Sequence, residues 1–167
     1  TNDGQSVNQF LMLDLNRLNQ DWQQLPDYPV PVSAATMSAQ QDGEEISLFV
    51  FGGRALGEDN LTNFYSYVYK FRPSENRWTT KKDIRLSETT PIQLSMAISA
   101  PIGATHIALI GGDDGQVFHQ VEKAINRDDI VARDSLWINH TGFNDKILLY
   151  NTITDSWFEL ENPRKAP

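Results

Sequence analysis

The chain has 167 residues, of which 40% are hydrophobic, 22% charged and 10% aromatic, a balance that builds a packed core and excludes disordered and fibrous classes. Fourteen Lys and Arg against twenty-two Asp and Glu leave a formal charge of −8, which repels phosphate backbones and anionic lipid surfaces and argues against both as partners. With no cysteine, the chain has no disulfide, thiolate metal site or cysteine nucleophile, and no apolar run reaches the roughly 18 residues of a membrane helix.

The first pattern met along the chain is FLMLDL (10–15), a strand-like run that leads through a polar turn to Trp22. The same pattern, an apolar residue followed seven positions later by tryptophan, recurs in FRPSENRW (71–78) and YNTITDSW (150–157). The runs YSYVYKF (65–71) and KILLYN (146–151) lead into these two copies, so each unit ends in a hairpin. Pro73, Ser74, Glu75 and Asn76, and the polar stretch 151–155, supply the turn chemistry. Upstream of the second and third copies, ISLFVFGG (46–53) and HIALIGG (106–112) are strands closed by two glycines. Such glycines permit positive φ and close backbone approach. Ahead of these lie AATMSAQ (34–40) and QLSMAISA (93–100), small and apolar enough for an innermost strand.

Each complete unit therefore reads as four antiparallel strands, the blade of a β-propeller, in an all-β chain. Residues 10–29 end one blade, 30–86 form a complete blade, and 87–162 form another that carries an insert at 113–145. Within the insert, VFHQVEKAIN (117–126) places Val117, Val121 and Ile125 on one face of a helix. About two and a half blades are expected. Propellers close with four to eight, so the remaining blades must come from further sequence of the same protein or from a second copy.

The Gly-Gly, the aromatic strand and the downstream Trp at these spacings resemble kelch repeats. Within that group the chain is similar, over 10–160, to the bacterial N-acetylneuraminate epimerases, also called sialic acid mutarotases, and their cyclically permuted relatives. The resemblance rests on Trp22-x-x-Leu25-Pro26, on the V-F-G-G ending at Gly53 and on the K-x-x-P turn from Lys70 to Trp78. It rests above all on the third unit, where a Gly-Gly, a polar loop, a helix and NDKILLYNTITDSW (144–157) follow one another.

The resemblance implies a six-bladed ring, export to a bacterial envelope such as the periplasm, and interconversion of the anomers of a sugar acid. In that reaction a base removes the anomeric proton while an acid protonates the ring oxygen. No cofactor is expected, and although His119 and His140 flank the insert, their spacing matches no established metal-ligand pattern. The family's G-E-x-K-P-G-x-R motif, with its general base and carboxylate-binding arginine, does not occur in this sequence, so no catalytic residue carries over and the chain alone is expected to be silent.

Loops after the Gly-Gly strands and loops entering the inner strands share one propeller face, which lines the central funnel. Arg54 and Asp113 directly follow their Gly-Gly pairs and are the first candidates for substrate contact; Asp114, Ser33, Gln93, His119 and His140 follow. Bland readings stand beside these. Arg54 is equally a solvated cation or a partner for Glu58 or Asp59, Asp113 and Asp114 are equally turn caps, and Trp137 is either core or a platform for a sugar ring. Trp22, Trp78 and Trp157 read as blade-packing residues. No phosphate loop and no G-x-S-x-G elbow is present. A non-enzymatic kelch module that binds protein or glycan through the same face, and a half-propeller closed by a second copy, remain as alternatives.

Overall fold

The computed structural model describes residues 5–17, 19–87, 89–140 and 142–160; the last two residues of the expected second complete blade, 161 and 162, lie outside them. A short hairpin, β1 (Phe10–Met12) with β2 (Gln23–Leu25), precedes two four-stranded antiparallel sheets. The first sheet holds β3 (Thr36–Gln41), β4 (Ile46–Phe51), β7 (Val68–Arg72) and β8 (Arg77–Lys81) in that spatial order. The second holds β9 (Ile98–Ile102), β10 (His106–Ile110), β11 (Ile147–Asn151) and β12 (Ser156–Leu160). These are two successive propeller blades. After each Gly-Gly the chain leaves its blade: through a small hairpin, β5 (Arg54–Leu56) with β6 (Thr62–Phe64), in the first, and through helices α1 (Gln116–Ile125) and α2 (Ile130–Ile138) in the second.

Alternation of side chains along β4 and β11 sends one set into the space between the blades. Phe49, Phe51 and Val68 meet Ile107, Leu109, Leu148 and Tyr150 there, with Ile84 and Leu94 from the connecting segment. Tyr150 lies edge-on to Phe49 and Phe51 at 5.8 and 5.6 Å, and its hydroxyl donates to Asp155 Oδ1 at 2.7 Å. Burial first, and the neighbouring carboxylate second, push its pKa well above the usual tyrosine range. The other face of the first blade is covered by the hairpin, where Phe10 meets Phe71 and Trp78, and Tyr28 meets Tyr69 and Trp78.

Several expectations shift on inspection. The inner strands start later than 34 and 93 because Ala34 and Met96 take left-handed backbone (φ 54° and 58°) that no strand continues through. Both kinks are used in the same way: Ser33 bridges Arg54 and Ser95 bridges Asp113 just before them. Trp22 does not pack; it is 62% exposed. Two positions before Trp78 and Trp157 stand Asn76 and Asp155, whose short polar side chains suit the left-handed turn they adopt (φ 48° and 53°), whereas the matching residue before Trp22 is Gln20. The first copy therefore turns differently, and its strands pair only over three residues. The insert holds two helices rather than one. The missed α2 (IVARDSLWI) is apolar without a stripe, buries no residue, and is marked mainly by Asp129, whose carboxylate caps the Ala132 N–H.

Among the described residues, no helix is long and apolar enough to cross a membrane.

Candidate functional site

The second glycine of each pair fixes the geometry of the loop that follows it. A Cβ on Gly53 would lie 2.4 Å from Val32 Cγ2 and 2.9 Å from the Ser33 carbonyl, and one on Gly112 would lie 2.7 Å from Leu94 Cδ1 and 2.9 Å from the Ser95 carbonyl. Only glycine lets the outgoing loop close onto the segment entering the inner strand, and that closure forms the Ser33–Arg54 and Ser95–Asp113 bridges. Arg54 and Asp113 thus occupy equivalent places in the two blades.

The elements that follow them pack on each other. Glu122 of α1 accepts the Thr62 N–H at 3.1 Å and its hydroxyl at 2.5 Å, and His119 Nε2 lies 2.5 Å from the Thr62 carbonyl oxygen, so the first helix is tied to β6. Phe118 meets Phe64 edge-on at 5.5 Å, and the Arg54 guanidinium carbon sits 4.7 Å from the Phe118 ring centre and 5.8 Å from that of Phe64. Such stacking holds a guanidinium flat while leaving its edge N–H groups free to donate. Among the described residues, no carboxylate lies within ion-pair distance of Arg54; neither Glu58 nor Asp59 is its partner.

A pocket of about 300 Å³ opens between the β5–β6 hairpin and the insert. It brings together three of the seven candidates, Arg54, Asp113 and His140, with Glu122 and a mostly apolar wall that includes Met96, Ile125, Trp137 and Phe143. Asp113 Oδ1 accepts the Gly115 N–H at 2.8 Å, so the carboxylate caps the turn into α1 and keeps Oδ2 for other contacts. His140 Nδ1 accepts the Gly142 N–H, which leaves the proton on Nε2.

The other candidates lie elsewhere. Asp114 and Gln93 line a separate, shallower recess with Ser66, and both oxygens of Asp114 are occupied by the backbone and side chain of Gln116. Ser33 Oγ donates to the Arg54 carbonyl at 3.0 Å. His119 is part of the tie to Thr62. Sequence reasoning missed Met96, Phe143 and Glu122; the last had a legible signal, since it falls one residue after Val121 on a helix whose apolar face had been identified.

Comparison with known proteins places this geometry in context. The family profile described as N-acetylneuraminate epimerase matches residues 3–165. A protein of Salmonella arizonae named N-acetylneuraminate epimerase is 22% identical over 98% of this chain and 42% of its own length. A Vibrio cholerae protein named Kelch domain-containing protein is 24% identical over 97% of this chain and 47% of its own. A solved structure titled "Structure of YjhT" superimposes with a TM-score of 0.70 at 22% identity, covering 93% of this chain and 46% of that one. The chain spans less than half the length of these curated relatives.

Proposed function

The chain belongs to the N-acetylneuraminate epimerase family, and from that premise we propose that it forms part of a propeller that interconverts the anomers of N-acetylneuraminate or a related sugar acid. The observation that carries the proposal is the convergence of Arg54 and Asp113, equivalent in the two blades, on one pocket large enough for a single sugar ring. Anomer exchange needs a general base and a general acid at the ring-opening atoms. Glu122 is a poor candidate for either, because both of its oxygens are held by Thr62. The acid–base pair and the carboxylate-binding arginine are expected from blades that complete the ring, as the family motif missing from this sequence implies, and the blades described here bind and orient: Arg54 donates to, and Asp113 Oδ2 accepts from, polar groups of the sugar. No cofactor enters this scheme. Export to a bacterial envelope, where free sugar acid would be met, is part of the same proposal.

Proton NMR of anomer exchange tests it. The protein in its native assembly is expected to accelerate mutarotation of N-acetylneuraminate over buffer, and Arg54→Gln is expected to weaken kcat/KM about 10- to 100-fold, the usual worth of a charge-assisted hydrogen bond. No acceleration by the native assembly would leave the second reading, a kelch module that binds a glycan or protein without chemistry. The likeness to a relative named only for its kelch domain is compatible with that reading.

A further inference from the structure

Arg54 and Phe118 come from different blades: Arg54 opens β5 after the first Gly-Gly pair, and Phe118 lies in α1 of the insert that follows the second. Positions i, i+1 and i+4 of a helix fall within an arc of about 100°. Phe118, His119 and Glu122 are such a set, and all three meet the β5–β6 hairpin. Phe118 and His119 lie edge-on to Phe64 at 5.5 and 5.3 Å, while His119 and Glu122 hold Thr62. Gly115, just before α1, lets the helix come this close, because a Cβ there would lie 2.8 Å from the Phe64 ring. On the hairpin, Phe64 is the direct cross-strand neighbour of Arg54. The guanidinium carbon consequently has a ring from each blade beside it, and the nearer is the insert's: Phe118 at 4.7 Å against Phe64 at 5.8 Å. Phe64 is buried under the helix, whereas Phe118 is half-buried and lines the pocket together with Arg54.

An arginine free in water samples many rotamers, and gripping a ligand costs it that freedom. A carboxylate partner would hold the guanidinium by occupying its N–H groups. Among the described residues Arg54 has no such partner, and an aromatic face fixes the plane of the group while its edge stays able to donate. We propose that Phe118 is a positioning residue: it fixes the Arg54 guanidinium at the pocket before a ligand arrives, so that the insert of the second blade sets how tightly the cation of the first blade binds. The inference rests on Arg54 being a contact of the sugar, as proposed above, and adds that this contact is built across two blades.

The test combines arginine-selective NMR with titration of N-acetylneuraminate, both on the protein in its native assembly. Without ligand, the Arg54 Nε–Hε resonance is expected to be displaced by the ring current of Phe118. Phe118→Leu is expected to remove that displacement, and Phe118→Tyr, which retains a ring, to keep it. Phe118→Leu is expected to weaken binding about three- to tenfold, with Phe118→Tyr close to the parent. In an Arg54→Gln background, Phe118→Leu is expected to cause no further loss, because it acts through the guanidinium. Circular dichroism, with hydrogen exchange over 116–125, establishes that each variant keeps its helix seated. An equal loss from Phe118→Leu with and without Arg54 would show general packing and overturn the positioning role, as would an Arg54 resonance that Phe118→Leu leaves in place. The two readings fail separately. A resonance that responds in a protein that does not bind N-acetylneuraminate keeps the fixed guanidinium and sinks the epimerase reading, whereas binding that Arg54→Gln weakens and Phe118→Leu leaves alone does the reverse.

Discussion

Asp42 shows how much one side chain holds together. Its carboxylate is fully buried and accepts from Lys70 Nζ at 2.8 Å, from Arg72 at 2.8 and 3.0 Å, from Ser47 Oγ at 3.0 Å and from the N–H groups of Glu44 and Glu45. Burial alone would raise its pKa, but the backbone donors and the two cations outweigh it and hold the group far below the usual carboxylate range. A depressed folded-state value means that the unfolded chain takes up a proton first. The stabilisation is therefore complete above about pH 5, and is lost progressively as the pH falls through the unfolded value near 4 toward the folded one. Asp42→Ala leaves Lys70 almost buried without its partner and is expected to cost about 3–5 kcal/mol in urea unfolding at pH 7. The deficit relative to the parent should shrink as the pH is lowered toward 2; a deficit independent of pH would show that the ion cluster contributes nothing.

At the scale of elements, the same point in two equivalent blades carries different structures. Where the first blade has room only for the β5–β6 hairpin, the second sends out α1 and α2, and the two excursions fasten to each other through Thr62, His119 and Glu122. The pocket exists because of that fastening. Glu122→Gln keeps the size of the side chain and removes its charge, so its bonds to Thr62 survive at most as neutral contacts, with the amide nitrogen donating to the hydroxyl it formerly accepted from. It is expected to cost about 1–2 kcal/mol and to raise hydrogen exchange over 116–125 while leaving β10 and β11 protected. Uniform exchange across blade and insert would show instead that the insert is not a separable unit. That α2 buries nothing in this chain while α1 buries Val121 and Ala124 agrees with α1 being the anchor of the insert.

For the whole molecule, the second blade is the informative one. Its face toward the first blade is packed, but Ile98, Ile110, Phe158 and Leu160 on the opposite face are 68%, 41%, 51% and 42% exposed. A contiguous apolar face on a sheet is what another blade covers. Phe158→Lys is expected to leave the core between the two blades intact by circular dichroism. Thermal unfolding of the protein in its native assembly is expected to show the variant clearly destabilised, because the lysine is forced against the covering blade. Unchanged stability would mean that this face stays open in the ring.

The kelch architecture was legible in the sequence because each blade repeats its landmarks. The Gly-Gly pairs and the Trp of each hairpin are positions where only one or two residue types satisfy the backbone or fill the space, so Gly53, Gly112, Trp78 and Trp157 declare themselves without coordinates. Where a landmark was met without its supporting turn residue, as at Trp22 behind Gln20, pattern alone misled. What tertiary structure decided was adjacency. Arg54 and Met96, or Asp113 and Phe143, are far apart in the chain and carry no shared signature; they meet because closing Gly53 and Gly112 onto Ser33 and Ser95 puts successive loops on one side, and because Thr62 happens to face α1. Local physics writes strands and turns into short stretches of sequence, whereas a pocket is made of contacts between stretches, and only packing selects which of them touch.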